Sequence, residues 1–166
     1  MTLGMPVNAL FGLSVAMSFV AFGLVARLYI WPWLQCTPRE KALTALLALH
    51  AFRFVGLGFL VPGVASPSLP LAFAAPAAYG DLIAAILAVI SVLALSARVS
   101  WAVAMVWIFN VWGSLDLLNA IYQGEIGVGI DARDLGAAFY IPTAIVPPLL
   151  ITHGLVFWLL LQRSRS

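Results

Sequence analysis

Seven residues have types and positions that lend themselves to chemistry: His50, Arg53, Asp81, Asn110, Asp116, Asn119 and His153, each set inside a long apolar run. A charged side chain at mid-bilayer depth costs roughly 2.5–3.5 kcal/mol on insertion scales, so each needs a partner, a cavity or both. One arginine beside two aspartates leaves a surplus negative charge unless one carboxyl keeps a proton. A carboxylate so placed can carry a proton or receive a cation, while the arginine can neutralise an acid or hold an anionic group.

Asn110, Gly113, Asp116 and Asn119 recur at every third residue. On an α-helix that spacing is a slanting row drifting about 60° per step, so all four cannot face one partner. Asp116 with one neighbour is expected to line a cavity, and the other asparagine to bond an adjacent helix. Tyr79-Gly80-Asp81 sets a glycine beside an acid, and Gly56 and Gly58 follow Arg53. Small residues there let another helix or a ligand come close.

The two histidines raise a separate possibility. At a rise of ~1.5 Å per residue, His50 and His153 lie roughly 12–14 Å from the same membrane face. Two histidines at one depth on different helices are the minimum for bis-histidine ligation of haem b. The alternative is a histidine hydrogen-bonded within the bundle. Zinc fits poorly, because it takes three or four ligands and the nearby aspartates lie toward the other face. For isolated polar residues the competing role is interhelical glue, worth ~0.6 kcal/mol each on average. That role serves Asn110 and Asn119 better than the Arg53, Asp81 and Asp116 set, since desolvating a buried ion pair can cost more than the pair returns.

Other chemistries lack their motifs. There is no phosphate-cradling glycine loop, no His-Glu-x-x-His, no Gly-x-Ser-x-Gly and no Cys-x-x-Cys. The single cysteine, Cys36, excludes an internal disulfide. Eight basic and six acidic residues give a net charge of +2 without a basic cluster, so no nucleic-acid partner is expected.

The elements that must position these residues are transmembrane helices. The chain is 64% hydrophobic and 8% charged, against roughly 45–50% and about 25% in a soluble domain. A 166-residue fold cannot hide that much apolar surface from water, so its solvent is lipid. The expected fold is all-α: one polytopic bundle of five helices over about 6–31, 41–61, 71–97, 101–122 and 135–161, each long enough to cross ~30 Å of hydrocarbon.

Punctuation marks the ends. Trp31-Pro32-Trp33 reads as an interfacial stop for the first helix, and Thr37-Pro38 with Glu40 as the start of the second. Pro62-Gly63 ends the second helix, and Gly124 lies beyond the fourth. The stretch from Gln123 to Asp134 reads as a flexible exposed loop. Pro142, Pro147 and Pro148 fall inside the fifth helix, where a kink or break would free carbonyls that protein or trapped water must meet. No positive residue precedes the first apolar run, so a retained helix is expected there rather than a cleaved signal.

Alternating spans put Arg27, Arg39, Lys41, Arg98, Arg163 and Arg165 on one side, with Glu40 the lone acid. The other side carries Glu125, Asp131, Arg133 and Asp134. The positive-inside rule then sets the N-terminus outside and the C-terminus in the cytoplasm. The Ala- and Gly-rich composition suits a multi-pass protein of a bacterial inner membrane. With short loops and no extramembrane domain, function must lie within the bundle.

The leading expectation is a polar cavity reached from the outer face and lined by Arg53, Asp81, Asp116, Asn110 and Asn119, with His50 nearby, binding and transporting a small molecule, ion or proton. An oligomer is expected, since five helices enclose little space. Three alternatives stand beside it. One is a haem b or quinone-linked electron carrier using His50 and His153. Another is an enzyme on a lipid or isoprenoid-like substrate with His50 or a buried aspartate as acid and base. The last is an accessory subunit of a larger membrane complex.

Overall fold

Each long apolar run becomes a helix, because in hydrocarbon a chain must satisfy its backbone polar groups internally. The computed structural model describes residues 5–162; Arg163 and Arg165, two residues behind the expected orientation, lie outside the described residues. Among the described residues five helices are long and apolar enough to span a membrane: α1 Val7–Cys36, α2 Arg39–Leu60, α3 Leu71–Ser96, α4 Ala102–Gly127 and α5 Ile141–Leu161. They run up and down. Asn8, Leu60, Leu71, Gly127 and Ile141 mark one end, and Cys36, Arg39, Ser96, Ala102 and Leu161 the other.

Trp31-Pro32-Trp33 does not stop α1. Residues Ala26–Ile30 form a wide π turn, with Trp31 N–H donating to the Ala26 carbonyl. The widened turn lets the chain pass a residue that has no N–H to give, and the helix continues to Cys36. Thr37 then closes α1, its hydroxyl donating to the Trp33 carbonyl at 2.7 Å, instead of capping α2. The same device recurs in α5, where the π turn Ile141–Ile145 directly precedes Val146-Pro147-Pro148.

α2 changes character midway. Arg39–His50 is α-helical, but Ala51–Leu60 is a 3₁₀-helix. Ten residues at ~2.0 Å rise cover about 20 Å rather than about 15 Å, which carries Arg53 deeper than an α-helical count implies. With three residues per turn, Arg53, Gly56 and Phe59 form one file, and these are the three buried residues of the segment.

The expected fifth helix from residue 135 begins later. Ala132–Phe139 is a separate 3₁₀ segment, bent at Gly136 with φ 56°. A Cβ at Gly136 would stand 2.6 Å from the Val64 carbonyl oxygen, so only glycine fits this crossing. Val64 O accepts from Ala137 N–H and Ala138 N–H at 2.7 and 3.2 Å, and Asp134 O accepts from Ser66 N–H at 3.1 Å. The connection after α2 is thereby stitched to the segment before α5. The presumed loop after residue 122 is also more ordered than expected: Gln123–Gly127 extends α4 by a π turn.

α3 lies against both α2 and α4, and α5 packs on α2, α4 and α1. α1 is peripheral, with no buried residue between Val7 and Ile30. Two apolar clusters fill the interior. One, near the Arg39 end, holds Leu43, Leu47, Ala88, Val106, Phe109 and Val156. The other, near the Asn8 end, holds Phe59, Phe73, Ala77, Leu135 and Ile141. On α2, α3, α4 and α5 the ionisable residues fall between the two, so a polar layer crosses the bundle at its middle.

Candidate functional site

Arg53 is the centre of that layer, buried with its side chain wholly unexposed. Its Nε donates to Asp81 Oδ1 at 2.8 Å. Nη2 lies 2.7 Å from the same oxygen and donates to Asp116 Oδ2 at 2.6 Å. Nη1 donates to the Gly113 carbonyl at 3.1 Å and faces His153 Nε2 at 3.3 Å. A guanidinium has five N–H groups; four hydrogen bonds are made here, and Nη2 is in addition in ion-pair contact with Asp81.

Three glycines make the approach possible. A Cβ at Gly56 would run into the Asp81 carboxylate, and one at Gly80 into the Asp116 carboxylate. A Cβ at Gly113 would stand 2.7 Å from both Arg53 Nη1 and His153 Cε1. Each polar side chain therefore lies directly on a neighbouring helix backbone, the close approach that small residues allow in membranes.

A second line of bonds continues from Arg53. His153 Nδ1 is 2.7 Å from Asn110 Oδ1, and Asn110 Nδ2 donates to the His153 carbonyl at 3.3 Å. Because the guanidinium can only donate, His153 Nε2 accepts and Nδ1–H donates to Asn110, which defines the neutral Nδ1–H tautomer. His50 packs on His153 with ring centroids 4.3 Å apart, and Phe109 covers both rings. His50 Nε2 meets Thr152 Oγ1 at 2.9 Å, whereas Nδ1 has no partner among the described residues.

This geometry does not fit a haem. Axial histidines must leave a slot for the porphyrin between them, but here the two rings touch. His153 also has both nitrogens committed within the network. Among the described residues no group of three or more His, Cys, Asp or Glu could hold a metal ion.

Beside the cluster is a cavity of about 520 Å³ bounded by α1, α3, α4, α5, the Ala132–Phe139 segment and Phe59 of α2. Its walls include Phe11, Phe19, Phe59, Phe73 and Leu117, with Asn8 and Glu125 toward the Asn8 end. Only Asp81 and Asp116 of the ionisable layer reach it. Their side chains are each 11% exposed, against none of Arg53. Asp81 Oδ2 and Asp116 Oδ1 accept no hydrogen bond among the described residues, since Arg53 takes only the other oxygen of each.

Arg53, Asp81, Asp116, Asn110 and His153 thus meet in one network, with His50 against its edge. Arg53 and Asn110 stand behind the cavity rather than lining it. Asn119 is apart, exposed on the outer surface of α4, as the drift of the three-residue spacing requires. Two contributors escaped the sequence reading. Thr152, the hydroxyl partner of His50, carries no charge to mark it. The cavity face of α1 carries Phe11, Val15 and Phe19 at four-residue intervals, but on a mostly apolar helix that pattern has no contrast.

A family model described as Domain of unknown function (DUF8737) matches residues 10–161. No curated protein and no solved structure matches the chain.

Proposed function

The chain belongs to the DUF8737 family, and we propose that it binds a small molecule or ion in the cavity above Asp81 and Asp116 and moves it, or a proton exchanged for it, through the membrane. The observation that carries this reading is the pair of half-satisfied carboxylates at the floor of a mostly apolar cavity, whose other polar side chains are Asn8 and Glu125. One guanidinium cannot balance both, so the site requires a further positive charge: a proton when empty, or a cationic or donating ligand when filled. Purely structural ion pairs are poor stabilisers in low dielectric, and a purely structural cluster gains nothing from facing a void. A cavity of this size lies in the range of small-molecule sites, about 300–1,000 Å³.

Arg53 serves here as a fixed counter-charge and not as an anion holder, because all three of its nitrogens are bonded within the network and its side chain has no exposure. We place the protein in an inner membrane with its N-terminus outside, a reading supported by Arg27, Arg39, Lys41 and Arg98 toward the Cys36 end. The cavity would then face the outer half of the bilayer.

The test is thermal unfolding of purified protein against a panel of ions and small amphiphiles. At least one should stabilise the wild type and lose its effect in the Asp81→Asn/Asp116→Asn double variant. Identical stabilisation profiles for the two proteins would remove the reading.

A further inference from the structure

Resting on the cavity reading above, we infer that the occupant is a lipophilic monocation: an amine whose ammonium group bonds Asp81 Oδ2 and Asp116 Oδ1, and whose apolar body lies among the aromatic walls.

Charge selects the sign. With His153 neutral by its hydrogen bonds, the network holds one fixed positive charge against two carboxylates. An anionic ligand would add a third negative charge to this network, at a site where the Arg53 side chain has no exposure. Asp81 itself is only 7% exposed, yet its Oδ2 is unpartnered and the residue borders the cavity. Asp81 Oδ2 rests against the Gly56 backbone and Asp116 Oδ1 against the Gly80 backbone, each on a residue that borders the cavity and neither with a donor among the described residues. A carboxylate oxygen so placed is an acceptor without its donor.

The walls select an organic cation over a metal ion. Calcium-like ions want about six or more oxygen ligands. Beside Asp81 and Asp116 the cavity offers mainly apolar residues, phenylalanines, leucines, prolines and alanines among them, and its other polar side chains, Asn8 and Glu125, lie toward the Asn8 end. An ammonium group needs only about three acceptors, tolerates aromatic faces through cation–π attraction, and can carry an apolar tail.

The packing selects the route. α1 contributes Phe11, Gly12, Val15 and Phe19 to the cavity but packs closely only on α5 and the Ala132–Phe139 segment. The seam between α1 and α4 is therefore the thin wall, and it opens on lipid. A molecule dissolved in the bilayer reaches the carboxylates there without crossing the polar layer.

The test compares three radiolabelled ligands of one chain length: dodecylamine, dodecanol and dodecanoate. Binding is measured at pH 7 to protein in phosphatidylcholine nanodiscs, with empty nanodiscs subtracted. A charge-assisted hydrogen bond contributes about 1.5–3 kcal/mol, so the amine should bind at least about ten-fold more tightly than the alcohol, and the carboxylate should not saturate. In Asp116→Asn, which keeps the Arg53–Asp81 pair, the amine's advantage should fall to near unity. Gly12→Trp is the steric control. Nothing lies within 4 Å of a Cβ at that position, so it fills the cavity from α1 without crowding the core, and it should block the amine. Equal binding of amine and alcohol, both blocked by Gly12→Trp, would overturn the cation assignment and keep the cavity reading. Tighter binding of dodecanoate would also overturn it. Failure of all three to saturate would overturn both.

Discussion

Arg53 Nη1 donates to the carbonyl of Gly113 at 3.1 Å, and the contact exists because residue 113 has no side chain. An arginine on one helix thus binds the backbone of another at mid-membrane, where each missing hydrogen bond is expensive. The carbonyl is further polarised by the guanidinium, and His153 is drawn to the same nitrogen. The polar layer is organised around a gap in the sequence as much as around its charges.

Gly113→Ala tests that gap. The added methyl would stand 2.7 Å from Arg53 Nη1 and 2.9 Å from His153 Nε2. Neither group can retreat, as both are buried with bonds on their far sides. Overpacking of this kind typically costs about 1–3 kcal/mol. Thermal unfolding in detergent should show a clear loss for Gly113→Ala and little for Gly23→Ala, whose Cβ meets nothing within 4 Å. Equal effects at the two positions would mean that the close approach is not a constraint.

Removing the arginine tests the ionic balance. Arg53→Met leaves two adjacent carboxylates buried without a counter-charge, and breaking a buried pair costs about 3–5 kcal/mol. The variant is expected to accumulate poorly and to lose its monodisperse peak in size-exclusion chromatography. Adding Asp81→Asn and Asp116→Asn should recover much of that peak, since the surplus charge is then gone. A triple variant no better than Arg53→Met would show that Arg53 acts by packing, not by charge.

The span count and the depth-matched partners were legible because apolar runs and charges in lipid leave strong signatures. Arg53, Asp81 and Asp116 stood out in a chain with 8% charged residues, and Gly56, Gly58 and Gly80 marked where helices could close on them, whereas Gly113 stood out only as a member of the three-residue row. The local winding of α2 was not legible. Whether residues 51–60 run as α or 3₁₀ depends on packing along α3, which places Arg53, Gly56 and Phe59 in one file. Pro32 misled for a related reason: a π turn before it removes the conflict that makes proline a stop. A cavity at Asp81 and Asp116 was expected, but its mostly apolar walls, with Arg53 and Asn110 behind them, were not legible, because the shape of a void depends on how helices diverge.

The histidine pair gives a spectroscopic prediction. Rings 4.3 Å apart, one of them bonded through both nitrogens, leave no slot for a porphyrin. Protein purified from haem-replete cells should show no Soret band in either the oxidised or the reduced state. A Soret band that shifts on reduction and disappears in His50→Ala would require the two rings to separate, and would return the electron-carrier reading to first place.

Cys36 reports orientation. It is the single cysteine of the chain, free and exposed, at the end of α1 close to Arg39. Arg39 complicates the simple charge count, because its Nε and Nη2 donate to the Leu159 and Leu160 carbonyls at 2.9 Å and so satisfy the end of α5. Part of the positive charge at this end is therefore explained by helix capping alone, which leaves Arg27, Lys41 and Arg98 to set the topology. If they do, a membrane-impermeant maleimide added to spheroplasts expressing the protein should leave Cys36 unlabelled until the membrane is permeabilised. The reciprocal variant, Arg133→Cys in a Cys36→Ser background, places the thiol at an exposed position at the opposite end. It should label without permeabilisation. The reverse pattern would invert the chain, turn the cavity toward the cytoplasmic leaflet, and make any bound amine one drawn from that side.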